Sequence, residues 1–339
     1  MKKLLFAIIA VMLFAGSALA GDNIVEVVQP DDVFQKGYIQ VIGESEAGQS
    51  RYRAKRAAEV VAQRRLLEIY QGLRLSGKTT VRDGMLTSDN IKTSVEGSLR
   101  GAVPCGEAYD RTEGYARVCL RLNLHGHDSV YSAFEDIILN RPQELKVRDI
   151  PAFKPESVPE IVPLPEETKP AVKAETPAVA ETKPATETAP AATEQKPAAG
   201  EQVAAAEEKP IPTTEETAGK IQDAVKTPID GIIVDVRDFD FKPALVNRIL
   251  TENNEVLFDP SKVLNQVLIE RGCGGYTTDL QKARALLESW GSKSPVVLKG
   301  RTVQNVTDAV VSTEDATAVF AYDQQYNLLA QARVVFVLK

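Results

Sequence analysis

Eight residues, Gly72-Leu73-Arg74-Leu75-Ser76-Gly77-Lys78-Thr79, fit the phosphate-loop pattern G-x-x-x-x-G-K-T letter for letter. That pattern grips phosphate only when a strand enters the loop and a helix leaves it, so that backbone amides and the helix N-terminus converge on the anion. Here the order is reversed. A helical pattern enters, and Lys78-Thr79-Thr80-Val81 leaves as a strand-like run. The sequence therefore argues against nucleotide binding at residues 72–79.

The other candidate chemical groups are sparse. His125 and His127 are the only histidines. Two imidazoles one residue apart hold a metal weakly, and no Cys or carboxylate cluster beside them completes a ligand set. Asp235, Asp238 and Asp240 gather near the end of an apolar run. Clustered carboxylates can bind Ca²⁺ or divide acid and base roles. Only Asp238 and Asp240 would share a side of an extended strand, however, so a strand end meeting water is the expected reading. There is no Ser/His/Asp or Cys/His arrangement and no G-x-S-x-G. The expectation is a non-enzymatic protein with no catalytic residues, metal or cofactor.

Cysteine use points to an oxidising compartment. Cys105 and Cys119 flank the turn Arg111-Thr112-Glu113-Gly114 and lie within one residue of direct cross-strand pairing. A disulfide between them, on the more polar face of a hairpin, is expected. Closing so short a loop contributes roughly 3 kcal/mol by restricting the unfolded chain. Cys273 is left over, and a buried thiol is the expected reading.

The elements that must position these groups follow from periodicity. Residues 37–43 read as a strand bounded by glycines. Residues 50–72 read as a long helix, with Ala54, Ala58, Ala62, Leu66, Ile69 and Leu73 recurring at spacings of four and three. The alanines in its first half would let a sheet approach the helix backbone closely. Its other faces carry Arg51, Arg53, Lys55, Arg56, Arg64 and Arg65 against Glu59 and Glu68. That basic face reads either as a contact for an anionic partner or as a solvated surface. Ser88-Asp89 opens a shorter helix ended by Gly101. Alternation of Ala116, Val118, Leu120, Leu122 and Leu124 with polar residues marks a half-buried hairpin strand. Residues 130–139 close this part as a helix.

Later in the chain, Gly231-Ile232-Ile233-Val234-Asp235-Val236 is nearly continuous in apolar character, as a strand buried on both faces would be. Asn253-Asn254 suits a hairpin turn between residues 245–250 and 255–258. Helices are expected over 261–270 and over 277–290, the latter capped by Thr277 or Thr278. A strand start at Pro295, a short helix opened by a capping box at Ser312 and Asp315, and a final strand over 332–338 complete the pattern.

Between these parts the composition changes. Of the 19 prolines, 12 lie in residues 151–212, and no Phe, Tyr or Trp occurs from Lys154 to Asp238. Such a segment cannot bury enough apolar surface to offset backbone ordering. Fully extended, its 62 positions would reach on the order of 190 Å. It is expected to divide the chain into two separate bodies on a tether.

At the other end, Lys2-Lys3, the apolar run 4–14 and Ala18-Leu19-Ala20 read as an export signal cleaved after Ala20. The apolar run is too short to span a bilayer, and no later run reaches about 18 residues. Loss of Lys2 and Lys3 takes the formal charge from −7 to −9, which argues against nucleic acid as a partner.

The order of elements and the wording of the first part resemble a known family. Tyr52-Arg53-Ala54-Lys55-Arg56-Ala57-Ala58, Leu66-Leu67-Glu68 with Gly72, and Val95-Glu96-Gly97-Ser98-Leu99-Arg100-Gly101-Ala102 look like the LPP-twenty-like lipoproteins. The N-terminal domain of FlgT-type flagellar basal-body proteins is similar, and the resemblance covers residues 37–124. Gly231-Ile232-Ile233-Val234-Asp235 with Lys242-Pro243-Ala244-Leu245 looks like the C-terminal region found with some members. The resemblance implies a non-enzymatic outer-membrane or periplasmic protein, in some members tied to flagellar structure. This chain lacks the lipid-bearing Cys of the lipoproteins.

Together these readings give an α+β protein of two small domains, each an antiparallel sheet packed by helices. The expected layout is a signal peptide (1–20), an N-terminal domain (21–145), a disordered Pro/Ala/Glu/Lys-rich linker (146–220) and a C-terminal domain (221–339). The expected partners are envelope proteins, the flagellar basal body or outer-membrane components, and the expected location is periplasmic or secreted. The alternative is a periplasmic adaptor that binds an anionic glycan or lipid through Arg51, Arg53, Lys55, Arg56, Arg64 and Arg65.

Overall fold

A computed structural model describes residues 24–164 and 228–339. The expected export signal (1–20) and the expected linker (146–220) from residue 165 onward lie outside the described residues. Two α+β domains are present.

The first contains α1 (Pro30–Lys36), β1 (Tyr38–Glu44), α2 (Arg51–Gly72), β2 (Arg74–Ser76), β3 (Thr79–Thr80), α3 (Val81–Met85), α4 (Asp89–Arg100), β4 (Val103–Asp110), β5 (Tyr115–Asn123) and α5 (Val130–Asn140), followed by a 3-10 turn over Pro142–Leu145. Its antiparallel sheet has the order β1-β5-β4. Helix α2 lies across it because Ala54, Ala58, Ala62 and Leu66 form its buried stripe. The stripe continues through Tyr70, not Ile69, and the Tyr70 hydroxyl pairs with Ser98 of α4 at 2.8 Å. Small residues set the spacing between helix and sheet. A Cβ on Gly43 would stand 2.1 Å from the Ala58 carbonyl oxygen, so strand and helix backbones touch with no side chain between them.

The second domain contains β6 (Gly231–Asp235), β7 (Arg248–Thr251), β8 (Val256–Phe258), α6 (Asn265–Arg271), β9 (Gly275–Thr277), α7 (Leu280–Ser289), β10 (Pro295–Lys299), β11 (Thr302–Gln304), β12 (Asp308–Val311), α8 (Thr313–Tyr326) and β13 (Val334–Val337). Its strand directions differ from the antiparallel expectation. One sheet, β10-β6-β13-β9, is parallel throughout, and the other, β11-β12-β7-β8, is mixed. The apolar run of β6 explains the difference: a strand covered on both faces belongs to a parallel sheet. Helix α7 is capped by Asp279, not by Thr277 or Thr278, because β9 takes the chain through Thr277 and the Asp279 carboxylate accepts from Gln281 and Lys282 N–H. The helix expected from residue 261 starts at Asn265, after a 3-10 turn over Pro260–Lys262. Ser312 caps α8, which is longer than the short helix expected.

The expectation of two separate bodies does not hold. A single apolar cluster runs through both domains. Tyr131 of α5 is buried in the second domain, its hydroxyl donating to Leu245 O at 3.1 Å. The ring sits so tightly on Gly272 that a Cβ there would meet it at 2.4 Å. Phe34 of α1 meets Tyr276 edge-on, with ring centroids 5.5 Å apart. Backbone hydrogen bonds also cross the seam. Leu245 and Val246 N–H donate to Arg74 and Leu75 O at 2.9 and 3.0 Å, and Gly126 N–H donates to Ile269 O at 2.7 Å.

The start of the expected linker is part of this seam. Ala152 bridges Val256 of β8, and Phe153 is buried against Phe320. Leu164 N–H donates to the Tyr326 hydroxyl at 2.9 Å. The residues on either side of 165–227 therefore belong to the same folded body.

Two outcomes are expected. Proteolytic cleavage within 165–227 should give fragments that still co-elute on gel filtration. Tyr131→Ala, which empties the seam at a cost of about 3–5 kcal/mol, should let them separate. Gly43→Ala should lower the thermal midpoint far more than Gly97→Ala, because open space surrounds Gly97.

Candidate functional site

Cys105 and Cys119 form the expected disulfide, with Cα atoms 5.1 Å apart. Cys105 is the extra residue where the β4–β5 register shifts between Pro104 and Gly106, which places it opposite Cys119. The strand carries Cys119 on the face of Arg117 and Arg121, yet Cys119 is buried.

The basic face of α2 is largely neutralised within the chain. Arg51 and Lys55 both meet Glu107 of β4, and Arg56 pairs with Glu59 at 2.9 Å. Arg65 reaches Glu26 at 2.7 Å and also donates to Ile42 O. Those lysine and arginine contacts hold the Glu107 carboxyl below its usual range. Among the described residues, Arg53 and Arg64 are the members of this set without an ion pair.

The remaining candidates are dispersed. Asp235 pairs with Arg237 at 2.7 Å, Asp238 with Lys299 at 3.4 Å and Asp240 with Lys242 at 3.0 Å, so the three carboxylates do not converge. Cys273 is buried beside Tyr131, and burial pushes its thiol well above the usual range. His125 stacks on Tyr131 with centroids 5.2 Å apart, while His127 is exposed.

Residues 72–79 do not build a phosphate loop. Gly72 ends α2, and β2 and β3 form an antiparallel ribbon turned at Gly77-Lys78. The Gly77 N–H is used on Thr307 Oγ1 at 2.8 Å. This ribbon nevertheless builds a site that the motif does not describe. A cleft of about 210 Å³ opens at the seam between the domains, lined by Ser76, Lys78 and Thr79 of the ribbon, Lys146 and Arg148 beyond the 3-10 turn, and Asn305 of the β11–β12 turn.

The floor of the cleft is bonded within itself. Arg248 and Asp308 are buried and paired at 3.0 Å, Arg248 also donates to Arg148 O at 2.7 Å, and Asn305 donates to Asp308 at 3.0 Å. Asp308 thus neutralises Arg248. Lys78, Lys146 and Arg148 are exposed at the rim, and among the described residues none of them is in an ion pair.

The backbone around the cleft is held in unusual conformations. Gly77, Lys146, Asn305 and Val306 have φ of 53°, 52°, 49° and 71°. For the β-branched Val306 this is a sparsely populated region that persists only when the surroundings enforce it. They do so from behind: Lys242 N–H donates to Val306 O at 2.9 Å, and the buried Asn247 amide donates to Thr307 O at 2.7 Å. The cleft is not legible in the sequence because its cations come from segments some 70 residues or more apart: the Ser76 hydroxyl on Leu145 O joins the segments of Lys78 and of Lys146 with Arg148, and the seam adds Arg248.

The comparisons with known proteins touch the second domain. The family described as Treponema pallidum Tp0624, second domain, matches residues 231–339, about a third of the chain. No curated protein matches the chain.

One pH dependence follows from the seam. Burial lowers the His125 pKa from 6.5 to about 4, so the unfolded chain takes up this proton first as pH falls. The stability is full above pH 6.5 and is lost between pH 6.5 and about 4, by up to about 3 kcal/mol, less whatever the ring's accessible edge recovers from water. His125→Phe keeps the stacking and removes the titration. The stability of this variant relative to the parent should rise across that window in denaturant titrations.

Proposed function

We propose that this chain is a non-enzymatic, exported cell-envelope protein that acts by interaction, in outer-membrane or flagellar assembly. The observation that carries the reading is the seam. Two α+β domains are joined by a shared core into one interaction body, and the residues flanking the Pro/Ala/Glu-rich segment are both anchored in that body. The export signal at residues 1–20 and the family resemblance over residues 37–124 support the cellular setting. Because the domains touch, joining is not achieved by a tether that holds two bodies at a distance. The long segment is instead an accessory insertion in one body.

The alternative, a periplasmic adaptor that binds an anionic glycan or lipid through α2, loses support because four of the six cations already have partners within the chain.

The test is fractionation of the envelope and of purified flagellar basal bodies, with motility scored in a deletion strain. Enrichment in basal bodies with loss of motility is the expected outcome for the flagellar version. A freely soluble periplasmic protein in a normally motile deletion strain would remove that version.

A further inference from the structure

We infer that the seam cleft is a binding site for the phosphoryl group of a small phosphomonoester. Charge gives the sign of the ligand. The lining holds four cationic side chains against the single carboxylate of Asp308, a net of +3 on a chain whose formal charge is −7. The Arg248–Asp308 pair is satisfied within the floor, so the surplus lies on Lys78, Lys146 and Arg148 at the rim. Three like charges repel one another, and the surface elsewhere shows the usual remedy: Arg51 and Lys55 share Glu107. Asp83 feels Lys146, but it is held at Thr80 by the cap of α3. Among the described residues, no carboxylate but Asp308 lines the cleft, so its rim is left short of counter-charge.

Shape and donors narrow the class. A cleft of about 210 Å³ is smaller than the roughly 300–1,000 Å³ of sites for drug-sized ligands, which leaves room for an oxyanion headgroup and a few further atoms but not for a nucleotide. A doubly charged tetrahedral oxyanion matches the chemistry of the lining, which includes two lysines, the guanidinium of Arg148, Thr79 and Asn305, whose amide also donates to Asp308. Preorganisation is the independent observation. Lys146 and Asn305 project from left-handed backbone, and Val306 beside them is strained and pinned from behind. Such conformations gather at ligand clamps. Lys78 and Lys146 belong to the first domain and Asn305 to the second, so an occupant would tie the two domains together.

The experiment titrates the purified full chain with inorganic phosphate and with glycerol 3-phosphate, read by calorimetry and by thermal midpoint. Saturable binding with a rise in midpoint is expected. Lys78→Ala and Arg148→Ala should each weaken it about tenfold, the loss of one charge-assisted contact. The double variant should abolish it, with an unchanged circular dichroism spectrum. Arg53→Ala/Arg64→Ala should bind as the parent does. Absence of saturable binding, or binding that survives in the double variant, overturns the proposal, as does equal loss in the Arg53/Arg64 variant.

Sedimentation with phosphatidylcholine vesicles, with and without phosphatidic acid, identifies the source. Vesicle binding that glycerol 3-phosphate displaces assigns the phosphoryl group to a lipid; its absence, with the soluble binding intact, assigns it to a free solute. These readouts do not depend on where the protein resides, so failure here would leave the envelope reading standing.

Discussion

The contact of Tyr131 with the second domain is the constraint on which the rest of the arrangement depends. A ring fully buried against Gly272, with its hydroxyl used on Leu245 O, fixes α5 relative to α6 and the lead-in to β7. With those elements fixed, Leu245 and Val246 N–H can reach two carbonyls of the β2–β3 ribbon. Each such hydrogen bond contributes only about 1 kcal/mol net. The apolar burial beneath them stabilises the seam more, and the hydrogen bonds select the register in which it occurs. The seam thus has the character of an interior, not of two surfaces meeting in solvent.

Much of the local structure is legible in the chain. The alanine spacing of α2 predicts close approach to a strand, and Gly43 supplies the other half of that contact. The Cys105–Cys119 pair, the caps Ser88 and Ser312 and the central place of β6 are likewise readable, because each rests on interactions between near neighbours or on continuous apolar patterning. Where pattern and structure part, the cause is different. Spacing puts Ile69 on the stripe where Tyr70 lies, since a tyrosine satisfied by Ser98 counts as polar in a pattern yet packs as apolar. The parallel pairing of β6 with β10 and β13 depends on chain crossings that no period reveals.

The docking of the domains is the largest feature that the sequence conceals. Proline and missing aromatics mark where a segment cannot form a core, but they carry no information about whether its two ends stay together. Residues 146–164 look like that segment in composition, yet Ile150 and Phe153 are buried and the backbone around them pairs with β8. A few apolar residues among prolines are enough, because the partner surface already exists. The cleft inherits this concealment. The basic face on α2 is readable as a run of charge but is mostly paired, whereas the rim cations without an ion pair among the described residues, Lys78 and the neighbours Lys146 and Arg148, are some 70 residues apart in the chain and meet the second domain's Asn305 only at the seam.

The contact of Pro151 and Phe153 with β8 also changes what counts as a unit. Strand β8 is the outer member of its sheet, and Val256 gives its N–H to Pro151 O and accepts from Phe153 N–H, both at 2.8 Å. The region matched by the family, residues 231–339, contains β8 but not the residues that cover it. Excised at that boundary, the second domain would carry an open sheet edge next to an uncovered Phe320, the combination that invites strand addition between copies. The first domain's tail thus serves as the second domain's edge protector, and the covalent order of the chain keeps that guard from being lost.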